Sequence, residues 1–183
     1  MTLSSRLIEP LAPLNRHPAI IHWSDTAAVN WALRPFWIIE DLRLMHNWMN
    51  SKRVLCNRPV DRDRSPLIFH YMQLLQSPSQ QALVLERNGV VVGQFDIIRQ
   101  RTHSDGLFIN YNFPDEPYSP QYWLVGVTQL VRILTREVPR EYIYIEIPSN
   151  YFTLIGHVEQ IGFVRVQQNQ KEMYFYKFMG NSG

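Results

Sequence analysis

A mixed-sheet fold of the α+β or α/β class is what the sequence predicts, and three observations carry that expectation. Residues 82–87 and 90–98 read as two strands joined by Asn88-Gly89, residues 141–147 alternate as EYIYIEI, and apolar residues at helical spacing recur between such stretches. Asn-Gly is the strongest short signal for a two-residue hairpin, because both central positions need positive φ. Strands interleaved with helices exclude a pure helical bundle.

The elements follow in order. Residues 1–18 carry three prolines and no sustained period, so residues 1–28 are expected to form an extended arm and residues 29–183 one domain. Residues 29–36 alternate as a strand, and Pro35 points to an edge position because proline donates no ladder hydrogen bond. The period then changes. Glu40 and Asp41 suit the first turn of a helix, and Leu42, Met45 and Met49 recur at helical spacing, with Leu44 and Trp48 widening the stripe. Ser65-Pro66 starts a second helix that continues through Leu75.

After the hairpin, LFINYNF (107–113) and QYWLVGV (121–127) both read as strands, with the proline-rich PDEPYSP as the loop between them. Residues 128–137 predict a helix that buries Leu130, Val131 and Leu134. Beyond strand 141–147, Ser149 or Asn150 can cap a helix with the stripe Leu154, Val158 and Ile161, and Gly162 stands where a helix terminus favours glycine. Residues 163–166 and 173–178 close the chain as an antiparallel pair around a polar turn.

Composition bounds the function. With 183 residues, 45% of them hydrophobic, the chain fills one core rather than two. Its 18 basic and 16 acidic residues leave a formal charge of +2, which implies no general attraction to nucleic acid or to a membrane surface. The N-terminus lacks the apolar stretch of a secretory signal and no run approaches a membrane span, so a cytoplasmic protein is expected. Alternating charges over residues 52–64 read as a solvated loop rather than a rim for an anion. Cys56, the single cysteine, reads as a small buried hydrophobe. The histidines at 17, 22, 46, 70, 103 and 157 show no paired metal-ligand spacing, so no metal is expected.

Three stretches share a resemblance: ALRPFWIIEDLRLMHNWMNSKRV, VVGQFDII and EIPSNYFTLIGHVEQIGFVRV, the last with Glu146, Glu159, Gly162 and Phe163 in register. Together, over residues 29–178, they resemble the Gcn5-related N-acetyltransferases, and in particular the branch that acylates amines or hydroxylamines in siderophore assembly. The resemblance implies a mostly antiparallel twisted sheet with a splayed central parallel pair, flanked by about four helices. It also implies acetyl-CoA or another acyl-CoA as donor, a small-molecule amine or hydroxylamine as acceptor, and a first helix that covers the acceptor.

The chain departs from that family at its phosphate loop. A glycine-rich Arg/Gln-x-x-Gly-x-Gly/Ala turn at a helix N-terminus normally cradles the diphosphate, whereas here QYWLVGV runs into TQLVRIL with only Gly126 near the junction. Either LFINYNF or QYWLVGV can be the fourth strand of the family, and the second is preferred because YNFPDEPYSPQYWLVG looks like the relatives' segment before their active strand. In that register the backbone of Trp123, Leu124, Val125, Gly126, Val127 and Thr128 would hold the thioester. Trp123 then stands where relatives often place a catalytic histidine, Pro148 or Ser149 where they place an acid, and Tyr151 where they place an asparagine. Tryptophan accepts no proton.

Glu146 is therefore the first candidate base and Asp96 the second, each with the alternative of being an exposed strand carboxylate. Trp37, His46 and Trp48, at and on the first helix, are acceptor-site candidates, although such residues are more often core and cleft wall. His103 and His157 read as loop and packing residues. The expected function is acyl-CoA-dependent N-acylation, with the proline-rich arm as a homodimer contact. The alternative is a catalytically lapsed protein of the same fold that binds a ligand or another protein.

Overall fold

The computed structural model describes residues 21–50, 55–56, 64–77, 79–100, 106–114, 117–137, 142–168 and 173–178. In chain order the elements are β1 (Ile21–Ser24), β2 (Asn30–Pro35), α1 (Ile38–Met49), β3 (Leu55–Cys56), α2 (Arg64–Gln76), β4 (Gln80–Arg87) and β5 (Val90–Gln100). They continue with β6 (Gly106–Phe113), α3 (Ser119–Glu137), β7 (Tyr142–Pro148), α4 (Phe152–Gln160), β8 (Phe163–Gln168) and β9 (Met173–Phe178). The sheet runs β1-β2-β4-β5-β6-β7-β9-β8, with β3 paired to β6 off that path. Every neighbouring pair is antiparallel except β6 and β7, which α3 joins as a parallel crossover.

Residues 1–20 of the expected arm lie outside the described residues, but its end does not extend freely. Ile21–Ser24 is a strand added outside β2, with Trp23 stacked on Trp31. This segment of the arm thus lies along the domain, and β2 is not the outermost strand of the sheet. Pro35 remains compatible with the sheet because β1 covers only Asn30–Leu33, so the missing N–H falls beyond its reach. Asn88 and Gly89 take φ of 50° and 80°, as the hairpin turn requires.

Strand alternation divides the sheet into two faces. On one, Leu83, Leu85, Phe95, Ile97, Ile109 and their neighbours pack with α3 and α4 into the larger core. On the other, Phe36, Ala82 and Val84 pack beneath α1 and α2, whose Met45 and Tyr71 are fully buried.

A charged clasp fixes α1 to this second face. Arg34, only 5% exposed, gives both terminal nitrogens to Asp41 at 2.7 and 2.8 Å and its Nε to Glu86 at 2.6 Å. Asp41 also accepts the Trp37 backbone N–H at 2.7 Å, closing the first turn of α1 with no cap from the N-cap side chain. Burial lowers the Arg34 pKa, but the hydrogen bonds to Asp41 and Glu86 outweigh it and leave the group more basic than usual. The aromatic strand-to-helix turn is thus structural: Trp37 lies under the guanidinium, with Cζ 3.9 Å from its ring centre.

Candidate active site

The site begins where the parallel pair opens. β6 and β7 pair from Gly106↔Tyr142 to Ile109↔Ile145, and both strands then continue without pairing to each other. The next residues are Asn110 and Glu146. Asn110 lies opposite Asp96 on β5, and the next polar pair along is Gln94↔Asn112. Because Ile109, Tyr111, Ile145 and Ile147 belong to the α3/α4 core, Asp96, Asn110 and Glu146 form a row on the opposite face, crossing three strands at the point of separation.

The row is graded in exposure. Asp96, Gln94 and Asn112 are fully buried, whereas Asn110 and Glu146 are half-buried. Asn112 Nδ2 donates to Gln94 Oε1 at 2.5 Å, and Gln94 Nε2 donates to Asp96 Oδ1. His70 of α2 brings Nε2 to 4.0 Å from Asp96 Oδ2 while its ring stays 41% exposed. Buried polar groups hold position only when paired, so this chain fixes the closed end of the row and leaves Glu146 and Asn110 at its open end.

The opposite face of the opening is filled. Tyr111, fully buried, donates its hydroxyl to the Glu146 backbone oxygen at 3.0 Å and meets Trp123 edge to face at 5.3 Å. Burial holds its phenol well above the ordinary pKa, with smaller contributions from Cys56, Tyr151 and Glu146, so it remains a neutral donor. β3 also pairs with β6 here, Leu55↔Phe113 and Cys56↔Asn112. Since Asn112 already faces β5 on one side, β3 occupies the edge on the β7 side.

The preferred register of the fourth strand is overturned. QYWLVGV lies within the 19-residue helix α3, and LFINYNF is the strand that opens against β7. Buried Ser119, Trp123, Val127, Leu130, Val131 and Leu134 follow helical spacing, so the apolar run was the first half of an amphipathic helix. The Tyr122 N–H already reaches Tyr118 O, and the amides of Trp123, Leu124, Val125, Gly126, Val127 and Thr128 follow within the helix. They offer no open strand edge to a thioester. Gly126 instead allows close packing, since a Cβ there would stand 2.7 Å from Phe95. Thr128 Oγ1 donates to Leu124 O at 2.7 Å and meets His157 Nε2 at 3.0 Å, tying α3 to α4.

Among the described residues, the start of α3 also offers a diphosphate few donors. Pro114, Pro117 and Pro120 bring no N–H groups to this turn, and the Ser119 hydroxyl is spent on Pro114 O at 2.7 Å. Of the first-helix candidates, Trp48 is core and Trp37 carries the Arg34 guanidinium over its ring, while half-buried His46 contacts Asn50. His103 lies outside the described residues. Among the described residues, no three His, Cys, Asp or Glu side chains gather as a metal site, and no helix is long and apolar enough to cross a membrane.

The sequence reading named Asp96 and Glu146 but missed His70, Gln94, Asn110, Asn112 and Tyr111. A signal existed: Gln94/Asp96 and Asn110/Asn112 each place polar residues two apart on neighbouring strands, hence on one face.

The sequence matches no protein-family profile and no curated protein. Solved structures do match. A chimera of the spermidine N-acetyltransferase SpeG from Vibrio cholerae with hSSAT is 14% identical with a TM-score of 0.67, over 82% of this chain and 95% of that one. An uncharacterised protein of Bacillus halodurans is 14% identical with a TM-score of 0.68, over 88% and 90% of the two chains. A domain from Methanocaldococcus jannaschii is 13% identical with a TM-score of 0.63, over 81% and 97%. At these identities the likeness establishes architecture: the chain has the Gcn5-related N-acetyltransferase fold, a mostly antiparallel sheet opened at one parallel pair.

Proposed function

We propose that the protein is an N-acyltransferase that moves an acyl group from a CoA thioester to a small aliphatic amine. One observation carries this reading: β6 and β7 separate directly after Ile109 and Ile145, and Asp96, Asn110 and Glu146 line up across the sheet at that separation. The shared fold with a spermidine N-acetyltransferase supports it. An acyl thioester supplies an activated carbonyl and a thiol leaving group.

The rest falls to residues of this chain. An alkylammonium is unreactive until it loses a proton, so the acceptor needs a carboxylate that both attracts the cation and takes the proton. Glu146 fits that role, being the half-buried acid at the open end of the row. Asn110, beside it, can orient the amine, while buried Asp96 stabilises the arrangement through Gln94 and Asn112. Two carboxylates in one row favour a cationic amine, such as a polyamine, over the neutral hydroxylamine of siderophore assembly. Neither the start of α3 nor the covered β6 edge fits the donor as they stand, so no step is assigned to donor contacts.

The same covering favours a second reading, a protein of this fold that binds a ligand or partner without transferring acyl groups. Calorimetric titration with acetyl-CoA, followed by thiol release on adding spermidine and other amines, separates the two. Binding with amine-dependent thiol release supports transfer; neither event with any acyl-CoA leaves the second reading.

A further inference from the structure

The edge of β6 toward β7 is shared by two segments. β7 takes Gly106–Ile109, β3 takes Asn112 and Phe113, and only Asn110 and Tyr111 lie between. Two residues of strand span about 7 Å, too little edge for an extended, amide-bearing arm to pair along. A donor held by backbone pairing in this opening therefore competes for the same N–H and C=O groups that β3 uses.

β3 is suited to yield. Among the described residues it contributes two to the ladder, and of these Leu55 is buried while Cys56 is half-buried. We propose, building on the acyltransferase reading, that β3 is an internal competitor for the donor: Leu55–Cys56 occupies the β6 edge in the resting protein and leaves it when an acyl thioester binds. A protein competent only when β3 is away shows an affinity reduced by the fraction of time it is away. Affinity for the donor is thus set partly by how firmly Leu55 is anchored in the core.

Locking and loosening β3 should act in opposite directions. Cys56 lies directly opposite Asn112, and facing Cα atoms in an antiparallel pair stand about 4.5–5.5 Å apart, within disulfide range. Because Cys56 is the chain's single cysteine, Asn112→Cys allows only one internal disulfide. Oxidised N112C should lose acetyl-CoA binding by calorimetry, and dithiothreitol should restore it in the same sample. Leu55→Ala should bind acetyl-CoA at least about threefold more tightly than the unaltered protein. In the unaltered protein, saturating acetyl-CoA should speed alkylation of Cys56 by iodoacetamide.

Equal binding by oxidised and reduced N112C, or slower Cys56 alkylation with acetyl-CoA, would overturn the competition while leaving acyl transfer intact. Absence of binding in every variant and redox state would remove both. The Leu55→Ala and alkylation measurements decide the matter without N112C if that variant does not fold.

Discussion

The two faces of the sheet solve different problems. Beneath α3 and α4 the packing is apolar and continuous from Trp31 through Phe95 and Tyr111 to Ile147, with Trp123 fully buried at its centre. Beneath α1 and α2 the apolar cluster gives way to polar groups: the Arg34–Asp41–Glu86 clasp at one end and the Asp96–Asn110–Glu146 row toward the opening. The first face is held by area removed from water, whose loss is graded with volume. The second adds to its own apolar cluster a few buried charged contacts, and removing one partner of these strands the other.

The largest effect should therefore come from a single carboxylate. Asp41→Ala leaves the buried Arg34 guanidinium with Glu86 as its one charged partner beside the Pro35 carbonyl, and should cost about 3–5 kcal/mol in urea unfolding. A loss below about 1 kcal/mol would show that water reaches Arg34 and that the second face is not anchored electrostatically. Glu146→Gln comes next and separates function from stability. It keeps the side-chain volume but removes the proton acceptor, so amine acylation should fall about 100-fold, near 2.7 kcal/mol in the barrier, with the melting temperature little changed. Unchanged turnover would reassign the base, with His70 as the next residue to examine.

The first face predicts a packing effect of intermediate size. At Gly126 a new Cβ would stand 2.7 Å from Phe95 Cε2 and 3.0 Å from Leu85 Cδ2, and both side chains are fully buried. Gly126→Val should cost about 1–3 kcal/mol by overpacking, measurable by the same unfolding. A stabilised variant would mean that α3 can lift from the sheet.

What the sequence made legible follows from this contrast. The Asn88-Gly89 hairpin, the strands 90–98 and 141–147, and the apolar stripes of α1 and α4 announce themselves through local chemistry and period. QYWLVGV did not, because an unbroken apolar run is compatible with a buried strand or the inner half of a helix. Only its continuation to Leu134 at helical spacing decides for the helix. β3 was illegible for another reason: two residues paired to a strand over fifty positions away carry no local signature. Glu146 was ranked first through resemblance, whereas His70 was passed over, since its place beside Asp96 exists only in the folded chain.

The smallest expected effect concerns the joint between the helices of the first face. His157 on α4 meets the Thr128 hydroxyl at 3.0 Å, and burial lowers its pKa below the usual histidine value. Its neutral form is therefore favoured in the folded protein, so the unfolded chain binds the proton more readily between the two pKa values. Stability from this group is fully present above about pH 6.5, the unfolded value, and declines as pH falls through the lowered folded value. His157→Gln retains a hydrogen-bonding group for Thr128 but cannot titrate. The drop in melting temperature from pH 7.5 to 5.5 should thus be smaller in the variant than in the unaltered protein, while Glu146→Gln should leave the response of this joint as it was. If the His157→Gln and unaltered proteins lose stability in parallel, protonation does not strain the α3–α4 contact, and its apolar neighbours alone hold that end of the larger core.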